Sequence, residues 1–96
     1  MHAVVRSYSG PGASDLFDRI AKSSDEVEGL LRGVTGFVSY TILRTADGGA
    51  TVTVCEDKAG TDESMQVARD WVAQNASDTG VGAPTVLEGA VEMHLT

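Results

Sequence analysis

Apolar and polar positions recur along this chain with periods that change, and each change marks an element. His2 to Tyr8 is short and partly β-branched, and it runs into Ser9-Gly10-Pro11-Gly12, which reads as a strand closed by a turn. From Ser14 the period becomes helical. At roughly 100° per residue, Leu16, Phe17, Ile20, Val27, Leu30 and Leu31 share one arc, while Asp18, Asp25 and Glu26 fall outside it. Ser14 suits an N-cap, Asp15 and Asp18 lie where the helix dipole favours negative charge, and Gly33 suits the stop after Arg32. Gly29 and the Ser23-Ser24-Asp25 cluster interrupt the pattern, so the reading stays open between one kinked helix and two shorter ones.

Phe37 to Thr45 and Ala50 to Glu56 alternate as strands, joined by Ala46-Asp47-Gly48-Gly49, where Asp-Gly signals a hairpin. Thr51, Thr53 and Cys55 project to one face of the second of these strands, and Val52, Val54 and Glu56 to the other. Thr61 is the predicted cap of a further helix, with Asp62 and Glu63 in its first turn and Met65, Ala68, Val72 and Ala76 as its core stripe. After a loop from Ser77 to Ala83, Pro84 opens a last strand predicted from about Thr85 to His94. The order β-α-β-β-α-β is the ferredoxin-like split βαβ pattern. This α+β fold has a four-stranded antiparallel sheet with two helices on one face, here as a single domain over residues 1–96.

Such a sheet has a second face with nothing on it. The chain is short, and at 5 % aromatic it buries little surface per residue, so a second copy is the simplest cover. A homodimer with sheets packed face to face is expected.

A formal net charge of −7, with the acids dispersed, excludes nucleic acid and anionic membrane surfaces as partners. Cys55 is the single cysteine, so no intrachain disulfide forms, and the first residues lack a signal-peptide core. A cytoplasmic location is expected.

Chemistry is expected in the layer between sheet and helices. Ser23 and Ser24 lie within the apolar arc of the first helix, and Ser64, Trp71 and Asn75 flank the core stripe of the second. Arg6, Tyr8, Tyr40, Arg44 and His94 lie on predicted strands with their faces unassigned. Together they would line a small pocket with an aromatic wall and a few hydrogen-bonding groups. The structural alternative is that the serines bond back to the preceding turn and Trp71 covers a helix edge. Cys55, in a Val-rich strand, reads as a buried inert thiol. His2 and His94 fall on strands predicted to be central neighbours, but no metal-ligand spacing surrounds them, and no Walker or dinucleotide fingerprint is present. No cofactor or metal site is expected.

Gly36-Phe37 at the start of the second strand, the Asp47-Gly48-Gly49 hairpin and the run VTVCEDKAGTDESMQVARDWV resemble the antibiotic biosynthesis monooxygenase-like proteins of the dimeric α+β barrel superfamily. The resemblance implies a ferredoxin-like protomer, a dimer whose sheets form a barrel, and a cavity in each protomer. Some members of that family oxidise phenolic polycyclic compounds with molecular oxygen and no metal, flavin or haem. A tryptophan of the second helix lines their cavity, and Trp71 is the residue that matches it, with Asn75 and Tyr40 as polar contacts. Haem-degrading relatives place a histidine soon after the tryptophan helix. Here Ala76 to Glu88 contains none, so haem breakdown is not expected.

Two functions follow as expectations. One is a cofactor-independent monooxygenase-like oxidoreductase acting on a small aromatic or quinol-type compound, with Trp71 as wall and Tyr40, Asn75 or His94 placing its hydroxyl. The other is a non-catalytic dimeric module that binds a small molecule or serves a structural role.

Overall fold

β1 (His2–Ser9), β2 (Phe37–Thr45), β3 (Gly48–Cys55) and β4 (Thr85–Ala90) pair antiparallel in the order β2-β3-β1-β4 in the computed structural model, which describes residues 1–96. Helices α1 (Ala13–Lys22), α2 (Ser24–Arg32) and α3 (Lys58–Asn75) lie against the sheet, and a 3₁₀ turn, Ser77–Thr79, leads from α3 toward β4. This is the ferredoxin-like architecture expected from the pattern, with the first helix present as the two shorter ones that the pattern left open. The first helical stretch divides at Ser23, whose backbone (φ −110°, ψ 25°) leaves helical geometry while its N–H still bonds back to Arg19 and Ile20.

Register decides what each strand faces. Arg6 stands opposite Thr51 on one side and Val86 on the other, and Tyr40 stands opposite Thr53. Val4, Arg6, Tyr8, Tyr40, Thr51, Thr53 and Cys55 therefore share the helix-covered face. Ala3, Val5, Leu43, Ala50, Val52, Val54 and Leu87 share the face that carries no helix. Leu43 and Leu87 are exposed there, Leu87 to 71 %. The core proper is the cluster of Tyr8, Ala13, Leu16, Phe17, Ile20, Trp71 and Ala76, in which the Tyr8 and Phe17 rings meet edge to face at 6.0 Å.

Three details differ from expectation, each for a physical reason. The cap of α3 is Asp57, not Thr61: the Asp57 carboxylate accepts from Gly60 N at 3.2 Å, and the helix starts a turn earlier. Thr61 is buried inside that first turn and returns its hydroxyl to Lys58 O at 3.0 Å. The last strand ends at Ala90, not His94: Ala90 pairs with His2, and beyond it Val91 N makes a single further contact with Met1 O. β4 is also an edge strand, so His2 and His94 do not sit on central neighbours.

The hairpin is tighter than expected, with Ala46-Asp47 alone turning between Thr45 and Gly48. Neither Gly48 nor Gly49 has positive φ. Both are needed for close approach: a Cβ on Gly48 would lie 2.1 Å from Tyr8 O, and one on Gly49 would lie 2.8 Å from the Phe17 ring. No helix is long and apolar enough to cross a membrane.

Candidate functional site

The face of α3 that presses on the sheet is the one holding Gly60, Thr61, Ser64 and Trp71. Met65, Ala68 and Val72, expected as the core stripe, are half-buried along its flanks. The rotation follows from size at the helix start. Gly60 sits against Cys55, and only a residue without Cβ lets the backbone come that close. With α3 so placed, Trp71 enters the layer between sheet and helices and is 6 % exposed. It points away from the bare sheet face.

Under Trp71 lies a narrow chamber of about 30 Å³, bounded by Arg6, Ile20, Tyr40, Thr51, Trp71 and Val72 among others. That is room for about one or two water molecules. Its lining is mostly apolar, and three polar groups enter it. The Arg6 guanidinium is buried and donates from Nη2 to Tyr8 Oη at 2.8 Å. Thr51 Oγ1 is buried with no hydrogen-bond partner. Burial pushes the Tyr40 phenol above its ordinary pKa, against the opposing pull of the Arg6 charge. Tyr40 thus keeps its proton at neutral pH and is available as a donor.

Two wider spaces flank the chamber. A groove of about 560 Å³ between α2 and β2 shares Val27, Leu31 and Tyr40 with it. A second, of about 410 Å³, lies between α3, β4 and the segment 81–84 and shares Arg6 and Val72. Both fall within the usual range for small-molecule sites, roughly 300–1,000 Å³.

The expected site residues separate into two groups. Trp71 and Tyr40 both line the chamber. Ser23 and Asn75 lie together outside it, in a shallow cleft with Arg19 and Lys22 that touches the far edge of Trp71. Asn75 is exposed and donates from Nδ2 to Trp71 O at 3.0 Å, which makes it part of the helix end. His94 lies in the tail beyond β4, half-exposed, and lines neither chamber nor groove. Arg6 was a pocket candidate with its face unassigned, and register now turns it inward; Thr51 was not singled out as a site residue from sequence. The available signal was Arg6 itself, a charge in register with Val4 and Tyr8 on an otherwise apolar strand face.

A second polar cluster sits at the opposite end of β1. His2 Nδ1 lies 2.9 Å from Thr61 Oγ1, and its Nε2 lies 3.9 Å from Glu88 Oε1, which also meets Lys58 Nζ at 3.4 Å. These contacts tie α3 and β4 to the central strand. No three His, Cys, Asp or Glu side chains converge in metal-binding geometry.

No protein-family model matches the chain, and no curated protein matches it in sequence. Solved structures do match in shape. A protein of unknown function from Nitrosomonas europaea superposes with a TM-score of 0.71 at 16 % identity, over 99 % of this chain and 91 % of that one. The monooxygenase ActVA-Orf6 of Streptomyces coelicolor, solved with nanaomycin D, gives 0.64 at 19 % over 99 % and 90 % of the two chains. The haem degrader MhuD of Mycobacterium tuberculosis, solved with two haems in its active site, gives 0.64 at 20 % over 99 % and 98 %.

The chain has the ferredoxin-like α+β fold that these three proteins share.

Identities of 16 to 20 % establish the architecture alone. Monooxygenase and haem degrader share it, so the chemistry of this protomer has to be argued from its own residues.

Proposed function

We propose that the protein is a cofactor-independent monooxygenase-like enzyme that binds a small aromatic or quinol-type compound between sheet and helices. The observation that carries this reading is the convergence of an indole wall (Trp71), a protonated phenol (Tyr40) and a buried guanidinium (Arg6) on one interior space. In such chemistry the substrate supplies every electron. Its acidic hydroxyl loses a proton to solvent water before it is enclosed, and the electron-rich anion reduces dioxygen. When a CH₂ flanked by aryl rings becomes a carbonyl, one oxygen atom enters the product and the other leaves as water. Arg6 would hold the anion, Tyr40 would donate to the developing oxyanion, and Trp71 would exclude solvent. The groove between α2 and β2 reaches Tyr40 and gives a flat ligand its entry.

The face of Val5, Val52, Leu43 and Leu87, with the leucines exposed, supports a homodimer joined sheet to sheet, since an apolar face of this kind is costly to leave in water. A cytoplasmic location fits the single, buried, reduced Cys55.

Oxygen uptake by purified protein against a panel of anthrones and naphthoquinols tests the reading. One oxygen consumed per substrate, with uptake reduced at least tenfold in Tyr40→Phe, is the expected result; no uptake with any member overturns it. The second reading, a binding module without turnover, is favoured by the chamber volume of about 30 Å³, which is far smaller than a polycyclic ring. Saturable binding of the same panel without oxygen consumption would select it.

A further inference from the structure

The groove of about 410 Å³ between α3, β4 and residues 81–84 has a charge distribution that sets it apart. The chain carries 14 acidic and 7 basic residues, so a basic group without a carboxylate partner is against the odds. Arg19, Arg32, Arg44 and Lys58 each hold one. Arg6, Lys22 and Arg69 hold none; Lys22 lies in the cleft beside Asn75, and Arg6 and Arg69 both line this groove, whose wall contains no Asp or Glu. The acids nearest in sequence are already engaged. Asp70 accepts from Gln66 at 2.9 Å, and Glu88 on β4 is committed to Lys58 and His2.

Arg6 is 8 % exposed, and its only protein contacts of note are neutral: the Tyr8 hydroxyl at 2.8 Å and the Tyr8 ring, whose centroid lies 5.7 Å from Cζ. Its Nε and Nη1 make no hydrogen bond within the protein and keep some contact with solvent from the groove. A largely buried cation without a counter-ion is costly, and an anionic ligand at those nitrogens lowers the cost.

We propose that this groove binds the carboxylate of a small apolar organic acid, with Arg6 as the buried clamp and Arg69 as the cation at the rim. Two features select the class. Met65, Val86 and Pro84 give the wall an apolar character, which suits a ring or branched chain and gives a bare phosphate dianion little to replace its water. The guanidinium fork matches a carboxylate in two parallel hydrogen bonds. The groove shares Arg6 with the chamber, whereas Arg69 lines the groove alone, so binding read with the Arg69 variant tests the groove apart from the oxygen chemistry.

Calorimetric titration with benzoate as probe tests it, with benzamide as the uncharged comparator and inorganic phosphate as the bare anion. Benzoate is expected to bind saturably, and benzamide and phosphate each at least about tenfold more weakly. Arg69→Met, at an exposed position, should weaken benzoate several-fold with circular dichroism unchanged. Arg6→Met should weaken it about 10- to 100-fold, the span of one charge-assisted hydrogen bond, while melting no lower than the parent protein because an unpaired charge has left the interior. Arg6→Lys should restore part of the affinity. Benzoate that fails to saturate, benzamide or phosphate that binds as well, or an Arg69→Met protein with unchanged benzoate affinity overturns the proposal. Should Arg6→Met fail to fold, the ligand comparison and Arg69→Met decide it unaided.

Discussion

Trp71 Nε1 donates a hydrogen bond to Glu26 Oε1 at 3.1 Å, across 45 residues of chain, and so pins α2 against α3 over the roof of the chamber. Glu26 is exposed and Trp71 buried, so the bond holds the indole by its polar edge and leaves the ring face to the interior. Glu26→Ala should cost about 1 kcal/mol, the net worth of such a bond. In a domain of this size that lowers the melting temperature by about 4–8 °C. Glu26→Gln, which keeps an acceptor, should recover most of it. Thermal melts followed by circular dichroism compare the three proteins.

Gly60→Ala sets two effects against each other. Alanine is the better helix former by about 1 kcal/mol. Its Cβ, however, would lie 2.5 Å from Thr35 O and 2.8 Å from Cys55 Cβ, contacts that backbone and core cannot yield cheaply. Overpacking of this kind costs about 1–3 kcal/mol, so the substitution should destabilise despite the gain in propensity. Urea unfolding reads the sign, and a more stable variant would show that α3 slides freely on β3.

Val52 lies in the centre of the sheet face that no helix covers. Val52→Asp should leave the protomer's secondary structure in place and shift the protein from dimer to monomer, since the charge would be buried only on association. Sedimentation velocity over a concentration series measures this. A parent protein that is monomeric at every concentration would remove the sheet-to-sheet pairing altogether.

The Arg19 guanidinium, hydrogen-bonded to Asp78 with Nη2 to Oδ2 at 3.0 Å, holds the Asp78 carboxyl below its ordinary pKa. The sign follows from linkage. The folded carboxyl has the lower pKa, so its contribution is complete above the unfolded value, near pH 3.9, and is lost as pH falls through the folded value. Asp78→Asn should therefore melt below the parent protein at neutral pH, with the gap closing under acid conditions and shrinking in high salt, because both groups are at the surface.

Burial pushes the Cys55 thiol above its ordinary pKa, and the charges of Asp57 and Glu63 push the same way. A disulfide reagent at neutral pH should leave the folded protein unmodified and titrate one thiol after denaturation. Rapid modification of folded protein would mean that the α3–β3 contact opens readily.

Much of the fold was legible because its signals are local. Alternation in residues 37–45 and 50–56, the Asp-Gly hairpin and the helical arcs each depend on neighbours a few positions away, and they agreed with one another. The errors lay where a distant partner intervenes. Thr61 looked like a cap until Asp57 reached Gly60, and the last strand keeps to the residues that β1 pairs, ending at Ala90 opposite His2. Of the site, Trp71 and Tyr40 were visible as the large polar-edged rings of amphipathic elements and Arg6 as a strand residue of unassigned face, whereas the convergence of Arg6 with Thr51 was not. Their meeting depends on the β1–β3 register, which pairs Arg6 with Thr51, and no periodicity within either strand contains that pairing.

By itself, then, the sequence determined the element order, the faces of β3, the surplus of negative charge and the identity of the one tryptophan. Periodicity and composition are properties of single segments, and burial rewards them wherever the segments end up. Only the tertiary structure decided that Trp71 points into the chamber, that Asn75 and Ser23 stay outside it, and that two arginines without carboxylates share a groove. Those outcomes rest on the rotation of α3, set by the absence of a side chain at Gly60 against Cys55, and on strand register. Contacts between residues far apart in the chain settle both.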